Sequence, residues 1–368
     1  MANYLVDSPR VILRKRVSNM VNGIDIAGQL VGSELPPFIV AEVGINHNGS
    51  LERALEMISV AAQAGCNAVK FQTFKAAEFV NDASQMFTYK SQGVEVTESM
   101  LAMFERHELP ERSWSIIKKE CEREGIIFLS TPQNLSDLNT LVKLGIPAIK
   151  VGSDDFTNLP LIRDYSRSGL PLILSSGMSD LSDVYQALEV AGVFEGYPVI
   201  LLVCTSQYPT PPEDANLRRI STLRAAFPMV PIGFSDHTQG SLASSLAVSL
   251  GAVFFEKHFT LSHDLPGPDH WFSEDPIGLA NWVRDIKTAK VMLGSPLVRP
   301  TQKEGVSKFE FQRSIVASAD IKFGEKFTEA NLSMRRVSGG GGFPPSMYFK
   351  LLGKTAWRDF SRFSSIEF

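Results

Sequence analysis

From residue 38 onward, short apolar runs alternate with amphipathic stretches. The runs are FIVAEVG (38–44), AVKFQTF (68–74), IIFLSTP (126–132), IPAIKVGS (146–153), PLILSSG (171–177), PVILLVCTS (198–206), VPIGFSDHT (230–238) and AVFFEKHFT (252–260). Continuous apolar runs of this length predict strands buried on both faces, as in a parallel sheet. Between them, helices are predicted over 51–64, 111–124, 135–143, 158–167, 180–191, 216–226 and 242–250, with one more over 278–292. Eight strands, each followed by a helix, make an α/β chain of the (β/α)8 TIM-barrel type over 38–293. A doubly wound sheet would confine ligand contacts to one switch point, whereas here polar residues end every run.

The flanks read differently. Residues 75–110 are polar and lack strong periodicity, which in so long a stretch predicts a lid or site wall. Residues 1–37, with Arg10, Arg14, Lys15 and Arg16, are expected to add a strand or hairpin closing the barrel base. GSPLVRPTQKEGVSKF, 294–309, is rich in Pro, Gly and charge and reads as a linker. Residues 310–368, with RSIVAS, a GEKFT turn and the Gly339–Gly342 run, read as a small β-rich domain. A domain this short is marginal by itself and is expected to dock on something larger. The glycine run has no Lys-Ser/Thr or helix after it, so it is not a phosphate loop.

Composition narrows the classes. With 44% hydrophobic residues and 21% charged ones, the chain can bury a sizeable core. A net charge of −4 gives no general attraction to nucleic acid or to an anionic membrane. Cys66, Cys121 and Cys204 are scattered and form no zinc pattern, which fits a reducing compartment. No apolar run approaches a membrane span of about 18 residues, and the start lacks a signal-peptide core. The expected location is therefore cytoplasmic.

The chemistry concentrates at the run ends. IGFSDHT ends in His237, and AVFFEKHFT carries Glu256 and His258. Ser235 and His237 share one strand face, as do Glu256 and His258, by the period of two. Two imidazoles at the ends of adjacent parallel strands can converge on one divalent cation, with GPDH adding Asp269 and His270 nearby. One strand-end histidine is usually structural; two at equivalent ends, flanked by Ser, Asp, Glu and Lys, carry a cost in buried polarity that packing does not explain. Lys70 and Lys150, among the hydroxyls of Thr131, Ser153, Ser175 and Ser235 at other strand ends, form a candidate anion pocket.

The motifs AEVGINHNGS, AVKFQTF, LSTP, IKVGS, LSSGMS, CTSQYPTP, GFSDHT, EKHFT and GPDH occur in the order found in the sialic acid synthase family, which the chain therefore resembles from 38 to 275. RSIVASADIKFGEKFTEANL and LLGKTAWRDF resemble that family's C-terminal antifreeze-like (SAF) domain. The resemblance implies condensation of phosphoenolpyruvate with an N-acylated amino sugar aldehyde and release of phosphate. It assigns phosphoenolpyruvate to Lys70, Thr131, Lys150, Ser153, Ser175, Ser206 and Ser235. It assigns Mn²⁺ or Mg²⁺ to His237 and His258, and proton handling to Glu42. Gln72, Asp155, Tyr208, Asp269 and Arg313 would contact the sugar. It further implies a homodimer in which each C-terminal domain covers the partner's barrel and brings Arg313 to its acyl group. Members that make N-acetylneuraminate often have Asn where Ser206 stands and Glu where Asp155 stands. The shorter side chains here favour a 2,4-diacetamido-2,4,6-trideoxyhexose over N-acetylmannosamine.

Overall fold

The computed structural model describes residues 23–368, which divide into one unit ending at Gly294 and a second over Ser295–Phe368. Eight parallel strands close the first unit into a barrel: Phe38–Gly44, Ala68–Thr73, Ile127–Pro132, Ile149–Val151, Leu172–Ser175, Val199–Cys204, Ile232–Asp236 and Phe254–His258. The eighth strand pairs with the first, Phe254 opposite Phe38 and His258 opposite Glu42. Helices follow each strand, among them Leu51–Gln63, Glu111–Glu124, Leu181–Ala191 and Pro276–Leu293. The α/β barrel expected from the run pattern is thus the observed fold. No helix among the described residues is long and apolar enough to cross a membrane.

Alternation along each strand builds two cores. Outward residues such as Ile39, Val69, Phe128, Leu174, Leu201 and Phe255 pack under the helices with Trp114, Leu141, Leu188 and Trp282. Inward residues Phe38, Val40, Ala68, Leu129, Ile173, Ile200, Leu202 and Phe254 fill the lower barrel. Ile26 and Val31 join that inner cluster with no exposed surface, so the hairpin Ile24–Ile26/Gln29–Val31 plugs the barrel base. Arg10, Arg14, Lys15 and Arg16 lie outside the described residues.

Two stretches hold more regular structure than their sequences led us to expect. Residues 75–110 form a short helix, Ala76–Phe79, a hairpin, Met86–Ser91/Val94–Ser99, and a helix, Met100–His107. Gln92 and Gly93 turn the hairpin with φ of 50° and 83°, the two-residue turn that matches strand twist. The segment expected to be a linker, 294–309, contains most of a helix, Gln302–Phe311. Its N-terminus is a capping box: Glu304 N donates to Thr301 Oγ1 at 3.2 Å, and Thr301 N donates to a Glu304 carboxylate oxygen at 2.8 Å.

The second unit is small and β-rich. Ser314–Ala317 pairs antiparallel with Leu332–Arg335, and isolated bridges join Ile321 to Phe360 and Lys326 to Thr355. Ile315, Phe327, Leu351, Ala356, Phe360 and Ile366 form its own core.

Candidate active site

Going up the barrel, inward positions change from apolar to polar. Val40 gives way to Glu42, Ala68 to Lys70 and Gln72, Leu129 to Thr131, Ala148 to Lys150, and Ile173 to Ser175. Leu202 gives way to Cys204, and Phe254 to Glu256 and then His258. These upper residues line a cavity of about 570 Å³ at the C-terminal mouth, where barrels of this type place their chemistry.

Its floor is a buried charge cluster. Lys70 Nζ lies 2.6 Å from Glu42 Oε2, 3.8 Å from Glu256 Oε2 and 3.2 Å from Thr131 Oγ1. Lys150 Nζ lies 3.8 Å from the other Glu256 oxygen and donates to Val151 O at 2.9 Å. Ser235 Oγ donates to Glu256 Oε1 at 3.2 Å. Burial pushes the Glu42 carboxyl up, only partly countered by Lys70, to about 7. Burial also raises Glu256, but Lys150 and Lys70 outweigh it and hold that carboxyl below its ordinary range. Burial lowers Lys150, and Glu256 offsets only part of the effect.

Side-chain oxygens of Ser175, Ser206 and Glu256, with Nδ1 of His258, are buried without a hydrogen-bond partner. Unsatisfied buried polar atoms are costly. Their concentration in one cavity marks a site built to receive a polar ligand. Gly177 lets the hydroxyls converge: its N donates to Ser153 Oγ at 3.1 Å, and a Cβ there would collide with Ser153 Oγ at 2.6 Å and with Ser206 Oγ.

The two histidines stand together, ring centroids 5.5 Å apart. His237 Nδ1 donates to Thr205 O at 2.8 Å, which leaves the lone pair of the neutral ring on Nε2. Burial would lower His237, but Cys204 beside it and the Thr205 carbonyl raise it; burial, with His237 and the lysines adding to it, holds His258 well below its ordinary value. His258 Nδ1 lies 3.8 Å from Asp269 Oδ2, and burial lifts the Asp269 carboxyl to about 6. Among the described residues no three His, Cys, Asp or Glu side chains form a complete ligand set. The orphaned His258 nitrogen and the fixed His237 tautomer fit a two-histidine metal site with open positions. Behind them the strand ends are pinned: Asp236 accepts from Ser244 Oγ at 2.6 Å and pairs with Lys257 at 3.2 Å, and Trp282 Nε1 donates to Ser244 at 2.8 Å.

The walls come from loops. Tyr208 lies 4.2 Å from the His237 ring and 5.2 Å from Phe272, centroid to centroid. The hairpin 86–99 is tied across the mouth to the loop after the eighth strand. Gln92 Nε2 donates to Asp264 O at 2.7 Å, and Gly267 N donates to Ser91 Oγ at 3.0 Å. His270 is fully buried in that loop, held by Thr260 Oγ1 at 2.7 Å and Asn48 Oδ1 at 3.0 Å, so it is a structural latch.

The cavity brings together Glu42, Lys70, Gln72, Thr131, Lys150, Ser153 and Ser175 with Ser206, Tyr208, Ser235, His237, His258 and Asp269. It does not include Asp155. That carboxylate accepts from Asn158 Nδ2 at 2.9 Å at a helix start, and its neighbour Asp154 lines the wall instead. Arg313 is exposed in the second unit, just before the strand Ser314–Ala317. The sequence reading left unassigned Glu256, Cys204, Asp154 and the aromatic residues Phe79, Phe87, Phe104, Trp271 and Phe272. Glu256 was within reach of the period-two argument that paired it with His258; the aromatics lay in segments without a readable period.

Comparison with known proteins gives concordant matches. The NeuB family model matches residues 57–297, and a SAF domain model matches residues 312–362. The chain is 36% identical to the N,N'-diacetyllegionaminic acid synthase of Legionella pneumophila, over 88% of this chain and 91% of that protein. It is 33% identical to the N-acetylneuraminate-9-phosphate synthase of Homo sapiens, over 89% of this chain and 90% of that protein. Among solved structures it is similar to an N-acetylneuraminic acid (sialic acid) synthetase from Leptospira borgpetersenii in complex with citrate. That match has a TM-score of 0.70 and 32% identity, covering 78% of this chain and 95% of that one.

Proposed function

The chain belongs to the NeuB family and carries a SAF domain, and from that premise we propose that it condenses phosphoenolpyruvate with an N-acylated amino sugar aldehyde, releasing phosphate. The observation that carries this reading is the pair of buried lysines, Lys70 and Lys150, beside partnerless hydroxyls and two histidines in one cavity. Phosphoenolpyruvate carries about three negative charges, and charge-assisted hydrogen bonds are the strong ones. Lys70, Lys150, Thr131, Ser153, Ser175, Ser206 and Ser235 hold it. Gln72, Tyr208 and Asp269 orient the sugar. When bound between His237 and His258, a divalent ion, Mn²⁺ or Mg²⁺, supplies Lewis acidity toward the aldehyde oxygen. C3 of phosphoenolpyruvate bonds to the aldehyde carbon, whose oxygen takes up a proton. Water then adds at C2 and gives one proton to Glu42; the C2–O bond to phosphate breaks, and the C2 hydroxyl gives its proton to the departing phosphate as the 2-keto group forms.

In this reading the protein works as a homodimer, and Arg313 of one subunit reaches the acyl oxygen in the other subunit's barrel. Guanidinium stays charged and offers a planar fork of donors suited to that task. The test of the reaction is a phosphate-release assay with phosphoenolpyruvate, Mn²⁺ and a panel of amino sugar aldehydes, including N-acetylmannosamine and 2,4-diacetamido-2,4,6-trideoxyhexoses. Release that depends on the sugar supports the proposal. Absence of release across the panel refutes it.

A further inference from the structure

The strands that end in the two histidines differ from the rest of the barrel on their outward side. Outward positions of the other six strands, such as Val43, Phe71, Val151, Leu174 and Val203, carry no charge and pack under the helices. The seventh and eighth strands carry Asp236 and Lys257 there, 0% and 2% exposed. The two are direct partners in the parallel register, as are Ser235 and Glu256. Asp236 directly precedes His237 and Lys257 directly precedes His258, so the pair lies one residue before the histidines and on the opposite face of the sheet. Neither lines the cavity.

Taking two charges out of water is expensive, and a buried ion pair is a weak source of stability. This one has the bonds of a brace. Lys257 Nζ pairs with Asp236 Oδ2 at 3.2 Å, donates to Thr238 O and lies 3.8 Å from Glu274 Oε1. Asp236 Oδ1 accepts from N and from Oγ1 of Thr238, both at 2.8 Å. The two chain neighbours of His237 are thus tied to each other and to Lys257. Glu274 Oε1 accepts from Gly240 N at 2.9 Å, in the loop after His237, while Glu274 N donates to the carbonyl of His258 at 2.9 Å. One residue therefore holds the backbone behind both histidines, and Lys257 stands between its carboxylate and that of Asp236.

We propose that Lys257, clamped by Asp236 and Glu274, is a positioning residue: it fixes the spacing of the His237 and His258 rings and so sets how tightly, and in what geometry, they hold a divalent ion. The proposal rests on the two-histidine metal reading and adds the residues that tune the site from outside the cavity. Metal–ligand distances tolerate an error of only about 0.2 Å. A small shift of either strand end therefore weakens the bond from its histidine. A brace that served the fold alone would change the melting temperature and leave the ion's affinity as it was.

The experiment takes the metal-stripped full chain and adds Mn²⁺ or Co²⁺ alone, well below every variant's melting temperature. Electron paramagnetic resonance of free Mn²⁺ gives the dissociation constant, the visible spectrum of bound Co²⁺ reports the ligand geometry, and thermal melts report stability. Lys257→Met should bind Mn²⁺ roughly tenfold or more weakly, as changes behind a metal ligand do, with a shifted Co²⁺ spectrum. The double variant Asp236→Asn/Lys257→Met leaves no lone buried charge. It should regain much of the melting temperature that Lys257→Met loses, while its Mn²⁺ affinity stays weak. Glu274→Gln keeps an acceptor for Gly240 N, so it tests the brace even where Lys257→Met fails to fold, and it should show a smaller loss of affinity in the same direction. Wild-type Mn²⁺ affinity and Co²⁺ spectra in the variants, whatever their melting temperatures, would overturn the positioning role. So would an affinity that returns with the melting temperature in the double variant. Absence of binding of either ion by the wild type would instead overturn the metal reading beneath it.

Discussion

Glu42 Oε2 sits 2.6 Å from Lys70 Nζ, with both side chains buried at the mouth of the barrel. Lys70 is shared with Glu256, which in turn faces Lys150. Two amino groups and two carboxyl groups therefore hold one another in the buried floor. Under the proposed reaction, phosphoenolpyruvate would replace the carboxylates as partner to the lysines. Lys70→Ala or Lys150→Ala should each weaken phosphoenolpyruvate binding by roughly 1.5 to 3 kcal/mol, the worth of a charge-assisted contact. Titration calorimetry checks this, and unchanged affinity in both variants would move the anion site elsewhere.

Glu256 has a separate role, because it is the counter-ion that both lysines share. Glu256→Ala leaves two buried like charges with Glu42 alone. Removing one member of a buried ion cluster typically costs about 3 to 5 kcal/mol. The variant should melt at lower temperature than the wild type, and phosphoenolpyruvate should restore more of the loss than it adds to the wild type. A melting curve that matches the wild type without ligand would show that the cluster does not need this carboxylate.

Acid should weaken the mouth of the barrel. Burial holds His47 at about 3 and His270 at about 4, both below the ordinary histidine value. Between those values and about 6.5 the unfolded chain binds protons that the folded chain does not. Stability from these two groups is thus complete above about 6.5 and is lost as pH falls toward 4. The His270→Gln variant keeps a polar side chain without that titration, so its stability should fall less steeply between pH 6.5 and 4.5. Equal slopes in denaturant melts across that range would exclude His270 as a contributor.

Much of this architecture is legible in the sequence. Strands buried on both faces give unbroken apolar runs, and their polar ends stand out because nothing in a core explains Lys70, Lys150 or His258 there. What escaped notice has physical reasons. The strand Met86–Ser91 alternates, but it is six residues long and its inward Phe87 and Tyr89 pack only on the small cluster of Ile45, Phe74 and Met103, so the period is lost among the polar residues around it. The helix Gln302–Phe311 buries none of its residues and has no apolar stripe, and its only mark was the Thr301–Glu304 capping pair. Asp154 and Asp155 are adjacent carboxylates, and which one lines the cavity is decided by the bond from Asn158.

The dimer proposal has its own test. Arg313→Ala and His237→Ala should each lose most activity while remaining folded. Co-expressed, the two should form mixed dimers in which one site has both an intact barrel and an intact Arg313. Random pairing would restore roughly a quarter of wild-type sites for a two-fold dimer. No recovery, with mixed dimers shown by mass spectrometry, would mean that Arg313 does not act across subunits.

The most direct measurement of the central claim is mass spectrometry of the product. Enzyme stripped of metal and enzyme reloaded with Mn²⁺ or Mg²⁺ are each incubated with phosphoenolpyruvate and a 2,4-diacetamido trideoxyhexose. The reloaded enzyme should yield the sugar extended by a three-carbon 2-keto acid unit, with one phosphate released per product, and the stripped enzyme neither. Phosphate release without that extended sugar, or full turnover by the stripped enzyme, would contradict the account.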